Sequence, residues 1–232
     1  MVAMILSQFV SWFATAAWNF LDLFIIVISI GITTRFEQLT SALKDHLKNE
    51  IPTPKSMLKF RLDFIAICEL LEYVDKHMGL IVFLSAANNL YFVCSQLLHA
   101  FKLAKLKLIF TIKLIEIFFS VLRYFADYLY YWFSLFYLIS RTVYLFLSAA
   151  AISESARSPA HLLHNIPQHH WNLECDRWLF QINSSTIALS AMGFFNFTRG
   201  LILTMAGTIV TFELVMLQFG NTVESLQPLC SS

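Results

Sequence analysis

The sequence predicts an all-α fold, a polytopic bundle of membrane-spanning helices. The chain of 232 residues is 58% hydrophobic and only 13% charged, with a mean hydropathy of +0.65. A soluble domain carries about a quarter charged residues, so this chain lacks the polar surface that a water-exposed fold needs. Apolar runs of ~20 residues, enough helix to cross ~30 Å of hydrocarbon, recur along it. Scarce Gly and Pro favour long helices, and a net charge of +1 gives no reason to expect a nucleic-acid partner.

The first predicted span, residues 1–34, has an apolar core from Phe9 to Ile32. Asp22 is the only charged side chain in that core. Trp12 and Trp18 lie early in it, where amphipathic rings suit a membrane interface. This pattern predicts a transmembrane helix with one polar group at membrane depth.

Residues 35–76 form a polar stretch in which basic and acidic side chains are balanced. The sequence Ile51-Pro52-Thr53-Pro54 in its middle predicts a turn. After the turn, apolar residues recur every three or four positions, as on one face of a helix. These residues are Phe60, Phe64, Ile67, Leu71 and Val74. We therefore expect helices that continue out of the membrane as a cytoplasmic stalk.

Two further spans are predicted at 77–101 and 124–152, the second interrupted by Arg141. The segment between them, 102–123, is apolar but contains Lys and Arg at intervals. An external interfacial helix, a loop or an additional span all fit this composition. Its basic residues, if external, run against the positive-inside tendency.

The segment 153–199 is polar and contains turns at Pro159 and Pro167, so we assign it to the cytoplasm with a return helix beginning near Trp171. The last span is predicted at 200–219, followed by an external tail at 220–232. Two triplets in the polar segment match the N-glycosylation pattern, and a cytoplasmic location would leave them unused. They begin at Asn183 and Asn196.

Polar groups within a span are functional candidates, although hydrogen bonding between helices is the alternative. Asn88 and Asn89 are consecutive, so they point about 100° apart and at most one faces a given cavity squarely. Glu213 lies in an apolar run and should face protein or water. A water-lined ion path and burial against another helix both fit Glu213.

A histidine-rich stretch is the one ligand-like cluster in the sequence. It comprises His161, His164, His169, His170 and Cys175. Prolines interrupt it and no carboxylate joins it, so we predict neither a metal site nor a cofactor. A membrane acyltransferase that uses these histidines is the enzyme alternative, but no nucleophile supports it, and we predict that the chain is not an enzyme. A small transporter or scaffold bundle is the other alternative.

The segment Thr211–Phe219 carries a family resemblance. Thr211-Phe212, five further residues and then Gln218-Phe219 resemble the closing signature of insect gustatory receptors, which is Thr-Tyr, five hydrophobic residues and Gln-Phe. Phe212 stands where the family has Tyr. Four more blocks resemble the sugar-sensing branch and follow in its order. They are Trp18–Phe24, Asn88–Cys94, Arg141-Thr142 with Ser153–Arg157, and Thr186–Phe195.

The resemblance implies the seven-span insect chemoreceptor fold. The spans 1–34, 77–101, 124–152 and 200–219 would be the fourth to seventh, and 35–76 with 153–199 would form the cytoplasmic anchor. It also implies a homo- or hetero-tetrameric, ligand-gated cation channel in the plasma membrane, whose pore the last span lines. The implied pore and gate residues are Thr211, Phe212, Glu213, Gln218 and Phe219.

A sugar pocket, for a mono- or disaccharide, is also implied by the resemblance. Amides, carboxylates and flat aromatic faces suit sugar hydroxyls and rings, and the candidates with this chemistry are Trp18, Asp22, Asn88, Asn89 and Tyr91. Family members are about twice as long, so we expect a truncated or partial form that lacks three spans. The segment 102–123 is then an atypical insertion, and a retained intron would explain its part from Lys102 to Phe119.

Overall fold

The structure is a computed structural model that describes the backbone of residues 2–110 and 118–226 and the side chains of 4–100, 128–216 and 218. Within these ranges the fold is all-α, as predicted, and no β-strand longer than an isolated bridge occurs. The helices are α1 (Val2–Asn49), α2 (Pro54–Phe110), α3 (Phe118–His164), α4 (Leu173–Ser184) and α5 (Arg199–Leu226). A single 3-10 turn, Gln168–His170, precedes α4.

In the described part of the chain, four helices are long and apolar enough to cross a membrane, which confirms the predicted polytopic membrane bundle. They comprise Met4–Asn49, Pro54–Ala100, Tyr128–His164 and Arg199–Met216. The first has 46 residues, and at 1.5 Å per residue it is about 70 Å long, more than twice the ~30 Å of hydrocarbon. The long helices therefore extend well beyond a bilayer, and the cytoplasmic location of the extension stays a prediction.

The turn predicted at residues 51–54 lies between α1 and α2. Thr53 and Ser56 bond reciprocally there: the Ser56 amide donates to Thr53 Oγ1 at 3.2 Å, and the Thr53 amide donates to Ser56 Oγ at 3.1 Å. This arrangement satisfies amide groups that the first turn of a helix otherwise leaves without partners. The end of α1 and the start of α2 are thus set locally.

The chain divides into two compact units, the first formed by residues 1–85 and 144–201. An aromatic centre holds it together: the Phe64 ring lies 5.6 Å from Phe36 and 5.8 Å from Trp178, measured between centroids. All three side chains are fully buried. The apolar stripe predicted on the stalk therefore packs against both α1 and α4.

Helix α4 is the return helix predicted near Trp171. Its buried residues Cys175, Trp178 and Ile182 share one face of the helix. The Asn172 side chain accepts the amide protons of two first-turn residues, as a helix N-cap does. Glu174 in that first turn pairs with Arg61 of α2 at 2.9 Å.

The second unit comprises residues 86–143 and 202–232 and contains parts of α2, α3 and α5. Its buried apolar residues are small or aliphatic: Ala86, Val93, Ala100, Leu135 and Leu138.

The predicted insertion 102–123 belongs to this unit. Its ends are helical backbone of α2 and α3, whereas residues 111–117 lie outside the described residues. The predicted tail begins as the last turns of α5, and 227–232 also lie outside the described residues.

Candidate functional site

Asp22 lies on α1 and is 1% exposed. The Ser85 hydroxyl on α2 donates a hydrogen bond to its Oδ1 atom. Trp18, one helical turn earlier on α1, is half-buried. A carboxylate at membrane depth is costly unless polar groups solvate it, and Ser85 supplies one such group. Asp22 therefore links α1 to α2, the packing role that was the alternative to ligand binding.

Asn89 is fully buried in the second unit, where Arg141 Nη2 donates to its Oδ1 atom at 2.9 Å. Asn88 is half-buried, and Tyr91 is 67% exposed. Two residues correspond to about 200° on a helix, so Tyr91 points away from Asn89. These three ligand candidates thus face different directions, and Asn89 solvates a cation within its own unit.

A cavity of about 450 Å³ lies in the second unit beside α2 and α3. Its lining residues are Ser95, Gln96, Leu98, His99 and Tyr131. The Tyr131 hydroxyl donates to the backbone carbonyl of Gln96, and the Tyr131 ring contacts the His99 ring at 5.4 Å between centroids. Gln96 Oε1 is buried and has no hydrogen-bond partner among the described residues. The cavity thus combines an amide side chain, hydroxyls, an imidazole and an aromatic face, which suit a polyhydroxylated ligand.

The sequence predictions did not include these cavity residues as ligand candidates. A cluster of polar residues at the end of a predicted span could have indicated a ligand site there. Its members, at positions i, i+1 and i+4, are Ser95, Gln96 and His99. Tyr131 gave no such signal. Its contribution depends on the pairing of α2 with α3, which no local pattern reveals.

Glu213 is 3% exposed, and it is the one fully buried residue among the described side chains of 202–216. Neither carboxylate oxygen has a hydrogen-bond partner among the described residues. Cys94 of α2 is an electrostatic neighbour of this carboxylate. Glu213 therefore faces the interior of its own unit.

A polar stripe runs along the side of α5 opposite Glu213. Its members recur at intervals of four and three residues, which keeps them on one face of a helix. The polar members are Thr204, Thr208, Thr211 and Gln218, the apolar Val215 lies between the last two, and all five are exposed. The Thr208 and Thr211 hydroxyls donate to carbonyl oxygens one turn earlier, at 2.9 and 2.8 Å. Their lone pairs stay available to water or a cation.

The implied pore residues are therefore distributed around α5. Thr211 and Gln218 lie on the polar stripe, Glu213 lies on the opposite side, and Phe212 is 48% exposed on a flank. The Phe219 side chain lies outside the described residues.

The histidine-rich stretch is split by the fold. The His169 and His170 rings are in contact at 3.9 Å between centroids. Cys175 is instead buried in the packing of α4, and this burial raises the pKa of its thiol. Among the described side chains, no three His, Cys, Asp or Glu residues lie together as metal ligands would.

Comparison with known proteins identifies the relatives of this chain. The family described as trehalose receptor matches residues 1–122 and 105–230. The Drosophila melanogaster protein named Gustatory receptor for sugar taste 64a is 41% identical over 219 residues, which is 94% of this chain and 44% of that relative.

Two other relatives from the same fly are similar to the chain at lower identity. Gustatory receptor for sugar taste 64f is 34% identical over 91% of this chain and 41% of its own length. Gustatory receptor 5a for trehalose is 31% identical over 88% of this chain and 42% of its own length. The chain thus spans less than half the length of these relatives. Because the family match covers most of the chain, the chain belongs to the trehalose receptor family, the sugar-sensing branch of the insect gustatory receptors, as its sequence blocks predicted.

Proposed function

We propose that the chain functions as the later part of a sugar taste receptor that acts as a subunit of a ligand-gated cation channel. The observation that carries this proposal is the similarity to sugar and trehalose receptors over about nine-tenths of the chain. The four apolar helices support a multi-pass location, for which we propose the plasma membrane. A homo- or hetero-tetramer of such subunits is part of the same proposal.

The cavity at Gln96 is our proposed ligand subsite for a mono- or disaccharide. A sugar presents many hydroxyl groups and one apolar ring face. The Gln96 amide would bond one hydroxyl group, and the Tyr131 and His99 rings would cover the apolar face. Asp22 bonds to Ser85 and Asn89 bonds to Arg141, so we assign each of them to helix packing within its own unit.

The polar stripe of α5 is our proposed pore lining. A stripe of hydroxyls and an amide is poorly solvated by lipid, so it is expected to face water or protein. Burial of Glu213 within its own unit turns this stripe outward, the direction in which neighbouring subunits would surround a channel. Thr211 and Gln218 are then the best-supported pore residues, and Glu213 is a packing residue.

Removing one hydroxyl at a time tests the ligand subsite. Tyr131→Phe removes the hydrogen bond that holds the Tyr131 ring beside Gln96 in the cavity, and Tyr91→Phe is the matched control because Tyr91 is 67% exposed on another face. In cells that express the receptor containing this chain, we expect sugar-evoked cation current. Tyr131→Phe should raise the half-maximal sugar concentration several-fold, since a net hydrogen bond contributes about 0.5–1.5 kcal/mol.

The control variant should respond as the unsubstituted receptor does. A receptor without sugar-evoked current would contradict the channel proposal. A normal current with equal sugar sensitivity in both variants would instead contradict the assignment of this cavity. The partial form of the receptor stays a prediction, and sequencing of the transcript upstream of Met1 and across residues 102–123 tests it.

A further inference from the structure

The segment between α4 and α5 folds back on itself. The Phe197 amide donates to the Leu189 carbonyl, and the Ala191 amide donates to the Phe195 carbonyl, both at 3.0 Å. Ser190 and Asn196 form an antiparallel bridge. We refer to residues 189–197 as the clasp.

The tip of the clasp is a tight turn. Met192 and Gly193 have φ angles of 54° and 77°, the left-handed region that favours glycine. Such a conformation is unfavourable for a residue that carries a side chain, such as Met192. It persists only where surrounding contacts hold it, and the Gly193 amide donates to Ser190 Oγ at 3.0 Å.

Three positions on one face of α2 hold the clasp. Asp75 accepts the Ser190 amide proton and the Ser190 hydroxyl proton, each at 2.7 Å. One turn along, Gly79 lies so close that an added Cβ would be 3.2 Å from the Met192 amide nitrogen. At the next turn the Phe83 ring contacts Phe194, with centroids 5.4 Å apart.

The far end of the clasp leads into α5. Phe197 is buried, and its ring contacts Phe146 of α3 at 5.4 Å between centroids. Thr198 follows at once and accepts the Leu201 amide proton at 3.3 Å, as an N-cap does. Arg199, the first residue of α5, pairs with Glu154 of α3. The clasp thus ties α2 and α3 to the first turn of α5.

We propose that Asp75 is the positioning residue that latches the first turn of α5 to the stalk through Ser190, so that movement of α2 is transmitted to α5. This inference rests on the proposed function only in naming α5 as the pore helix. Hydrogen bonds to a charged carboxylate are about twice as strong as neutral ones, which makes this contact the strongest polar link of the clasp. Gly79 lets α2 lie close to the tip of the clasp, because a side chain at this position would already press on the Met192 backbone.

Hydrogen exchange of the full chain in lipid nanodiscs tests the latch without relying on channel activity. Asp75→Ala should accelerate exchange of the Ser190 amide, and of residues 189–202 as a whole, about tenfold or more. Glu72→Ala is the matched control because Glu72 is an exposed acid on the preceding turn, and it should leave these rates unchanged. Asp75→Asn keeps one acceptor oxygen, so it should give an intermediate rate if Asp75→Ala fails to fold.

Equal exchange rates in the Asp75 and Glu72 variants would overturn the latch. Faster exchange in 189–197 with unchanged exchange at 199–202 would overturn its link to α5. In a receptor with sugar-evoked current, Asp75→Asn should shift the half-maximal sugar concentration and leave the single-channel conductance unchanged. Absence of current in the unsubstituted receptor would count against the proposed function alone, since the exchange rates still decide the latch.

Discussion

At the residue scale, burial distinguishes neighbours that the sequence cannot separate. Asn88 and Asn89 are identical in type and adjacent, yet only Asn89 is fully buried and bonded to Arg141. The 100° step of a helix predicts that the two differ, but not which one faces inward. That choice depends on where α3 packs, which is a property of the folded chain.

Substituting the two amides separately should show this difference. Asn89→Ala removes an acceptor from a partly buried guanidinium and should lower the free energy of unfolding by about 1–3 kcal/mol. Asn88→Ala should change it much less. Thermal unfolding of the purified chain in detergent measures both, and equal losses would contradict the assigned orientation of α2.

Gly79 tests how closely α2 approaches the clasp. Gly79→Ala places a methyl group 3.2 Å from a backbone nitrogen, so the clasp must shift, and hydrogen exchange in 189–197 should accelerate. Gly31→Ala, also within a long helix, meets nothing within 4 Å. It should be neutral or stabilise α1 by up to about 1 kcal/mol, since Ala is the better helix former. An unaltered exchange rate in the Gly79 variant would show that the approach is looser.

At the element scale, the spacing of apolar residues predicts where helices lie and which face is buried, but not which other segments pack against that face. The stripe that includes Phe64 and Leu71 predicted the inner face of the stalk, and both residues are buried. The turn at residues 51–54 and the return helix that begins near Trp171 were also predicted. The clasp was not, because its turn depends on a left-handed Met192 and on bonds from Asp75, 115 positions away in sequence from Ser190.

Two aromatic residues of α4, one buried and one exposed, allow a measurement of how strongly this helix packs against α2. Trp178→Ala removes a fully buried ring that contacts Phe64 and should cost about 3–5 kcal/mol. Phe180→Ala removes a ring that is 73% exposed and should change stability by roughly 0.5 kcal/mol or less. Denaturant unfolding followed by fluorescence compares them. Comparable losses would mean that α4 packs through its other face.

At the scale of the whole molecule, composition and span length predicted the membrane bundle, and five ordered blocks predicted the family. The ligand subsite could not be predicted in the same way. Trp18 and Asp22 fall in one unit and Asn88, Asn89 and Tyr91 in the other. The cavity that we propose as the ligand subsite is lined by other residues, among them Gln96, His99 and Tyr131, and the predicted ligand candidates stay predictions.

The predicted topology also belongs to this scale. The asparagines that begin the two glycosylation triplets, Asn183 and Asn196, are both exposed. If 153–199 is cytoplasmic, neither carries a glycan and endoglycosidase leaves the electrophoretic mobility unchanged. A triplet appended beyond Ser232 serves as the positive control, since the tail is predicted to be external. A shift in electrophoretic mobility of the unmodified chain would show that 153–199 is external, which contradicts the predicted topology.

The most direct test of the channel account is thiol modification of α5 in the receptor that contains this chain. Thr211→Cys lies on the polar stripe, whereas Val210→Cys is the adjacent control, 58% exposed and nearer to the Glu213 side. A charged methanethiosulfonate reagent reacts only where water reaches the thiol. We predict that it reduces the sugar-evoked current of the Thr211→Cys receptor and leaves that of the Val210→Cys receptor unchanged. A current that is insensitive at Thr211 but blocked at Val210 would contradict the proposed pore.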